Sequence, residues 1–115
     1  MLFRSDRVKA VFSGDGSALY FSRAPIPYRQ SAPITPYYVH IGIYAFRLPS
    51  LKRFVTLNRS PLEATEKLEQ LRLLENKIPV NVIVTEHQSI GVDRPEDIPV
   101  VCNIMLNQNH LLDAG

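Results

Sequence analysis

The chain has one cysteine, Cys102, so no disulfide can close within it and no cysteine cluster can hold a metal. A lone thiol fits a reducing compartment, and Cys102 reads first as a small buried hydrophobe rather than a reactive group. The sequence also lacks a run of ~18 apolar residues, the length a helix needs to cross a bilayer. Its opening, Met1 to Arg7, carries charges at Arg4, Asp6 and Arg7 with no signal-peptide core behind them. These absences predict a cytoplasmic protein with no membrane partner. Charge of one sign is scarce too: 13 Lys and Arg against 11 Asp and Glu leave a formal net charge of +2. The basic residues are scattered instead of gathered into a stripe that could track phosphates, so no nucleic acid is expected. G-x-x-x-x-G-K-[ST] and H-E-x-x-H are missing, as is any serine or cysteine nucleophile signature. No repeat or low-complexity tract appears.

What is present is ordinary for a folded protein. The 115 residues are 45% hydrophobic and 21% charged, which predicts one globular domain. Arg7 to Phe12 reads as a strand, Ser13-Gly14-Asp15-Gly16-Ser17 as a turn, and Ala18 to Arg23 as the returning strand of a hairpin. Prolines 25, 27, 33 and 36 then fix φ and remove backbone donors, predicting an extended excursion. Tyr37 to Phe46 alternates as a strand should, with Val39, Ile41, Ile43 and Ala45 toward the core and Tyr38, His40, Gly42, Tyr44 and Phe46 on the other face.

Ser50 can cap a short helix running to Leu57, and Ser60-Pro61-Leu62-Glu63 is a capping box with proline in the first helical position. It predicts one helix from Pro61 to Asn76. Val80 to Thr85 reads as a short β-branched strand, and Pro95 as the start of a last helix. Alternating strands and helices behind a hairpin predict an α/β fold class, a layered domain on a mixed sheet.

Several residues are candidates for chemistry. At ~100° per residue, Ala64, Lys67, Leu68, Leu71 and Leu74 share one side of the Pro61–Asn76 helix as a core stripe. Leu62, Glu66, Glu69 and Leu73 share the other, with Gln70 beside them. Two carboxylates between two leucines fit a ligand cleft or a partner surface, and equally fit surface charges pairing locally, Glu69 with Arg72 for example. His40 and Tyr44 share a strand face with Gly42 between them; the pattern fits a polar ligand edge or a structural histidine. Arg23, closing the hairpin, could bind a carboxylate or phosphate in bidentate fashion, or face solvent. Asp93 precedes a helix, where a carboxylate is an N-cap or, with further ligands, a metal ligand.

Four segments in this order resemble the carboxy-terminal half of CMP-Kdo synthetases, the 3-deoxy-manno-octulosonate cytidylyltransferases. They are Val8-Lys9-Ala10-Val11 running on through Ala18-Leu19-Tyr20-Phe21-Ser22-Arg23-Ala24-Pro25-Ile26-Pro27; His40-Ile41-Gly42-Ile43-Tyr44; Ser60-Pro61-Leu62-Glu63 with Leu68-Glu69-Gln70-Leu71-Arg72; and Gly91-Val92-Asp93-Arg94-Pro95-Glu96-Asp97. The resemblance implies the second half of a Rossmann-type, nucleotide-diphospho-sugar-transferase-like fold, acting on CTP and the acidic sugar Kdo with Mg²⁺ to give CMP-Kdo and pyrophosphate for lipopolysaccharide assembly.

Carried over by position, the resemblance implies that Arg23, His40, Tyr44, Glu69 and Gln70 bind the sugar and that Asp93 is a metal ligand. It implies a homodimer paired through this half, and a CTP-binding half absent from these residues. A non-catalytic module and a relative of the sialic acid cytidylyltransferases are the alternatives. Arg94 stands where the family usually has Thr, and the residues after Pro99 match no part of the pattern.

Overall fold

The computed structural model describes residues 6–32, 34–86, 95–96, 98–100 and 102–103. Two compact units, Met1–Val84 and Thr85–Gly115, are taken separately. In the first, strand β1 (Lys9–Phe12) pairs antiparallel with β2 (Ala18–Ser22) through the expected hairpin. Gly16 takes a φ of +88°, a conformation glycine adopts without steric cost. Asp15 ties the turn by accepting the Ser17 N–H at 2.9 Å and the Ser13 hydroxyl. The register slips where Val11 faces Tyr20 but Phe12 faces Ala18, leaving Leu19 as a bulge residue turned outward.

On the other side of β1 lies β3 (Tyr38–Val39), giving the sheet order β2-β1-β3. The α/β class holds, and every strand pairing among the described residues is antiparallel rather than mixed. The Val80–Thr85 segment, expected as a strand, contributes one antiparallel bridge, Asn81 to Ser17, flanked by Ala18 N–H to Val80 O at 2.8 Å and Val82 N–H to Gly16 O at 2.7 Å.

The core is small: Val8, Ala10 and Phe21 from the sheet against Leu68 and Leu71, with Ala18, Tyr20, Leu74 and Val80 at its margin. Helix α1 (Leu48–Thr56) starts before Ser50, with Pro49 in its first turn, and buries no residue. The single helix expected over 61–76 is two: α2 (Pro61–Glu66) and α3 (Leu71–Glu75).

The break falls at Lys67, which takes the left-handed conformation (φ 56°, ψ 48°). Leu68 N–H reaches back to the Glu63 carbonyl at 3.3 Å, the six-to-one bond of a Schellman end. Ending the helix there drops Leu68 into the core, where Leu71 is wholly buried, and turns Ala64 and Lys67 outward, off the stripe predicted for them. Lys77 repeats the device at the end of α3 with φ 57° and an Ile78 N–H to Leu73 O bond of 2.9 Å.

In the second unit, residues 98–100 and 102–103 are helical, and Ile98 N–H bonds the Pro95 carbonyl at 3.3 Å, in line with a helix opened by Pro95. Cys102 is exposed, not buried. Asp93 and Arg94 lie outside the described residues.

Candidate functional site

The residues after β3 do not run on as a strand. His40 N–H completes the sheet by donating to Val8 O at 2.7 Å, and Ile43 N–H then bonds the Ile41 carbonyl at 2.8 Å, a tight turn that ends the pairing. Ile43, expected in the core, is 84% exposed as a result. The turn also brings Tyr44 back over His40, its hydroxyl 2.5 Å from Nε2. In an extended strand, residues four apart would be separated by about 13 Å. His40 rests edge-on against the buried ring of Phe21, centroids 5.2 Å apart.

Burial pushes the His40 imidazole below its usual range and raises the Tyr44 phenol to about 12. Both groups are therefore uncharged at neutral pH, sharing one hydrogen bond whose direction follows the imidazole tautomer.

From Tyr44 an aromatic series continues outward. Phe46 lies 6.1 Å from Tyr44 and Phe54 5.8 Å from Phe46, nearly parallel. The Arg72 guanidinium sits 4.8 Å over Phe54. Arg72 is bound in turn by buried Glu63, Nε to Oε2 at 2.8 Å and an N–H to Oε1 at 2.5 Å, a two-pronged pair that holds the Glu63 carboxyl below its usual range. Arg72 thus pairs with Glu63, not with Glu69 as helical spacing allowed. The predicted capping box forms: Ser60 N–H donates to Glu63 Oε2 at 3.2 Å and the Ser60 side chain faces the Glu63 backbone N–H, though outside strict hydrogen-bond geometry.

These side chains enclose a cleft of about 150 Å³ lined by Tyr44, Phe46, Phe54, Glu69, Gln70 and Leu73. Three of the predicted residues, Tyr44, Glu69 and Gln70, meet in it, and His40 supports Tyr44 from behind. Gln70 is 8% exposed, and its side-chain amide nitrogen has no acceptor among the described residues. A buried donor without a partner costs about 1–3 kcal/mol. Glu69 also borders a second, wider cleft of about 360 Å³ with Arg59, Glu63 and Lys67. Leu73 and Phe46 share predicted faces with Glu69 and Tyr44, whereas Phe54 was not legible as a site residue, because its place in the wall depends on the chain turning at Ile41–Ile43.

Arg23 is placed differently. Its Nε donates to the Glu66 carbonyl at 2.7 Å and a terminal N–H to the Lys67 carbonyl at 3.2 Å, capping the end of α2. Glu66, which shared a predicted face with Glu69, is turned the other way: Oε1 accepts the Ser22 hydroxyl at 2.8 Å and the Arg23 N–H at 2.9 Å. The helix break separates the two carboxylates that one continuous helix would have kept together.

A half-open cleft with aromatic walls, one buried amide donor and one carboxylate, carried on a small α/β frame, is the form of a site for a compact polar ligand. A cytidylyltransferase family model matches residues 1–89, and the chain belongs to that family. It is 54% identical over 105 residues to a 3-deoxy-manno-octulosonate cytidylyltransferase of Oleidesulfovibrio alaskensis, covering 90% of this chain and 42% of the relative. To the enzyme of that name from Chlorobaculum parvum it is 55% identical over 95 residues, covering 82% of this chain and 38% of the relative.

Among solved structures it is similar to a CMP:2-keto-3-deoxy-manno-octonic acid synthetase complexed with CTP, with TM-score 0.83 and 37% identity over 91% of this chain and 44% of that one. The chain thus spans about two-fifths of the length of the relatives it matches.

Proposed function

We propose that this chain supplies the sugar-binding side of a cytidylyltransferase that joins CTP to Kdo. The observation that carries the reading is Gln70: the residue lines the same cleft as Glu69 and Tyr44, and its side-chain amide nitrogen is buried with no acceptor among the described residues. Kdo offers a carboxylate and hydroxyl oxygens to that donor, and hydroxyl protons to Glu69. Phe46, Phe54 and Leu73 cover apolar C–H surface and keep water from the polar contacts.

In this reading the anomeric hydroxyl attacks the α-phosphate of CTP, forming the new P–O bond as pyrophosphate leaves. The hydroxyl proton passes to solvent or to a base outside these residues. What the chain contributes is orientation of the attacking oxygen. CTP binding is assigned to parts of the fold that relatives carry beyond the span matched here. The resemblance makes Asp93 one ligand of Mg²⁺. Among the described residues no group of three or more His, Cys, Asp or Glu could hold a metal.

A homodimer belongs to the same reading: Leu48, Leu51 and Val55, at helical spacing on α1, are 62%, 39% and 69% exposed. Among the described residues no helix is long and apolar enough to cross a membrane, and the proposed setting is the cytoplasm. Titration of the isotopically labelled chain with Kdo, followed by NMR, tests the reading. The signals of His40, Glu69 and the Gln70 side-chain amide should move together, with sialic acid a weaker competitor; a titration that leaves all three in place overturns it.

A further inference from the structure

The junction between β2 and the α2–α3 corner holds more buried polar contact than two packed elements need. Glu66 is its centre. One carboxylate oxygen accepts both the Ser22 hydroxyl and the Arg23 N–H. Ser22 Oγ accepts the Ala24 N–H at 3.0 Å, so the end of β2 is gripped at three successive residues. The Arg23 side chain returns to the Glu66 and Lys67 carbonyls, so the two residues bind each other in both directions. Beneath them Lys9, 1% exposed, donates from Nζ to the Arg23 carbonyl at 2.7 Å.

None of these groups lines the cleft of Tyr44, Glu69 and Gln70. Their position along the chain gives them a role in it. Lys67, immediately after Glu66, is the left-handed residue that ends α2, and Glu69 and Gln70 follow it directly. Lysine has no intrinsic liking for that conformation, which costs roughly 1–2 kcal/mol for a residue with a Cβ, so the surroundings must impose it. Arg23, bonded to the Glu66 and Lys67 carbonyls on either side of the Lys67 Cα, and Glu66, bonded to the strand, impose it.

Resting on the sugar-site reading, we infer that Glu66 is the positioning residue of this site: by clamping the end of α2 to β2 it sets the turn at Lys67, and that turn places Glu69 and Gln70 in the wall of the cleft. Lys9 and Ser22 are its supports.

Glu66→Ala and Glu66→Gln in the whole chain, with Ser22→Ala as a milder variant that removes one donor to the Glu66 carboxylate, test it by two separate readouts. The first uses no ligand: in ¹⁵N-labelled protein, Glu66→Ala and Ser22→Ala should shift the Gln70 side-chain amide and the backbone amides of residues 67–71, and Glu66→Gln, which keeps an acceptor, should restore them toward the parent positions. The second is affinity for Kdo, compared at equal folded fraction by circular dichroism. It should fall about tenfold in Glu66→Ala and less in Glu66→Gln, as a displaced contact group predicts. Corner signals that stay in place in the folded variants overturn the positioning role, whatever Kdo does. A parent chain that ignores Kdo while its corner responds to Glu66 overturns the sugar reading instead. If Glu66→Ala does not fold, Ser22→Ala and Glu66→Gln decide alone, and unchanged corner signals in both sink the inference.

Discussion

The two walls of the cleft are built by different means. Glu69, Gln70 and Leu73 stand on the α2–α3 corner, which is clamped by the Glu66 hydrogen bonds and the Arg72–Glu63 pair and packed through Leu68 and Leu71. Tyr44, Phe46 and Phe54 stand on residues 40–57, where α1 buries no side chain and ring-to-ring contacts supply the attachment. Each aromatic pair contributes about 0.5–1.5 kcal/mol beyond area burial, less than a packed core leucine. The polar contacts thus sit on the stable side and the apolar cover on the loosely held side. Local opening, which draws on the weakest-held elements, would move the cover and leave the recognising groups in register.

The contrast can be broken first at the corner. Leu71→Ala, at a wholly buried position, should lower unfolding free energy by about 4 kcal/mol in urea denaturation. Arg72→Ala should cost about 3 kcal/mol, because Glu63 is left buried without its partner and Phe54 loses the cation above it. Lys67→Gly should go the other way and stabilise by about 0.5–1 kcal/mol, since glycine takes the left-handed conformation freely; a loss would mean the lysine side chain matters more than its backbone.

On the arm the effects are smaller. Because burial lowers the folded-state pKa of His40, the unfolded chain binds more protons at mild acidity. Stability from His40 should be complete above the unfolded value of about 6.5 and decline as pH falls below it. Melting curves from pH 7 to 5 should show the decline, and His40→Phe should flatten it. Smallest of all, Leu51→Ala should change stability by less than about 0.5 kcal/mol; a larger cost would mean that α1 is packed more firmly than its exposure indicates.

Much of this was readable in the residues themselves. The glycine-bearing turn of the hairpin and the proline of the Ser60 box carry their geometry in their chemistry, so both appear where composition places them. His40 and Tyr44 were rightly paired for a wrong reason: alternation put them on one strand face, whereas contact required the turn at Ile41–Ile43. The helix break was hidden because Lys67 and Lys77 are good helix formers with no mark of a left-handed turn; tertiary bonds to Arg23 fix the first of them. Gln70 stood out only by its neighbours in a resembling motif, and its orphaned donor became visible once burial was known.

The lysine at 67 also bears on how such a site can change. It is a punctuation point, since the residues after it are aimed by one pair of dihedral angles instead of by their own side chains. An insertion or deletion between Leu68 and Leu71 would re-aim Glu69 and Gln70 together while leaving both core leucines in the sequence. Ligand preference in this frame can therefore drift by changes of loop length without any substitution in the pocket, and sequence identity at the contact residues alone would not reveal it.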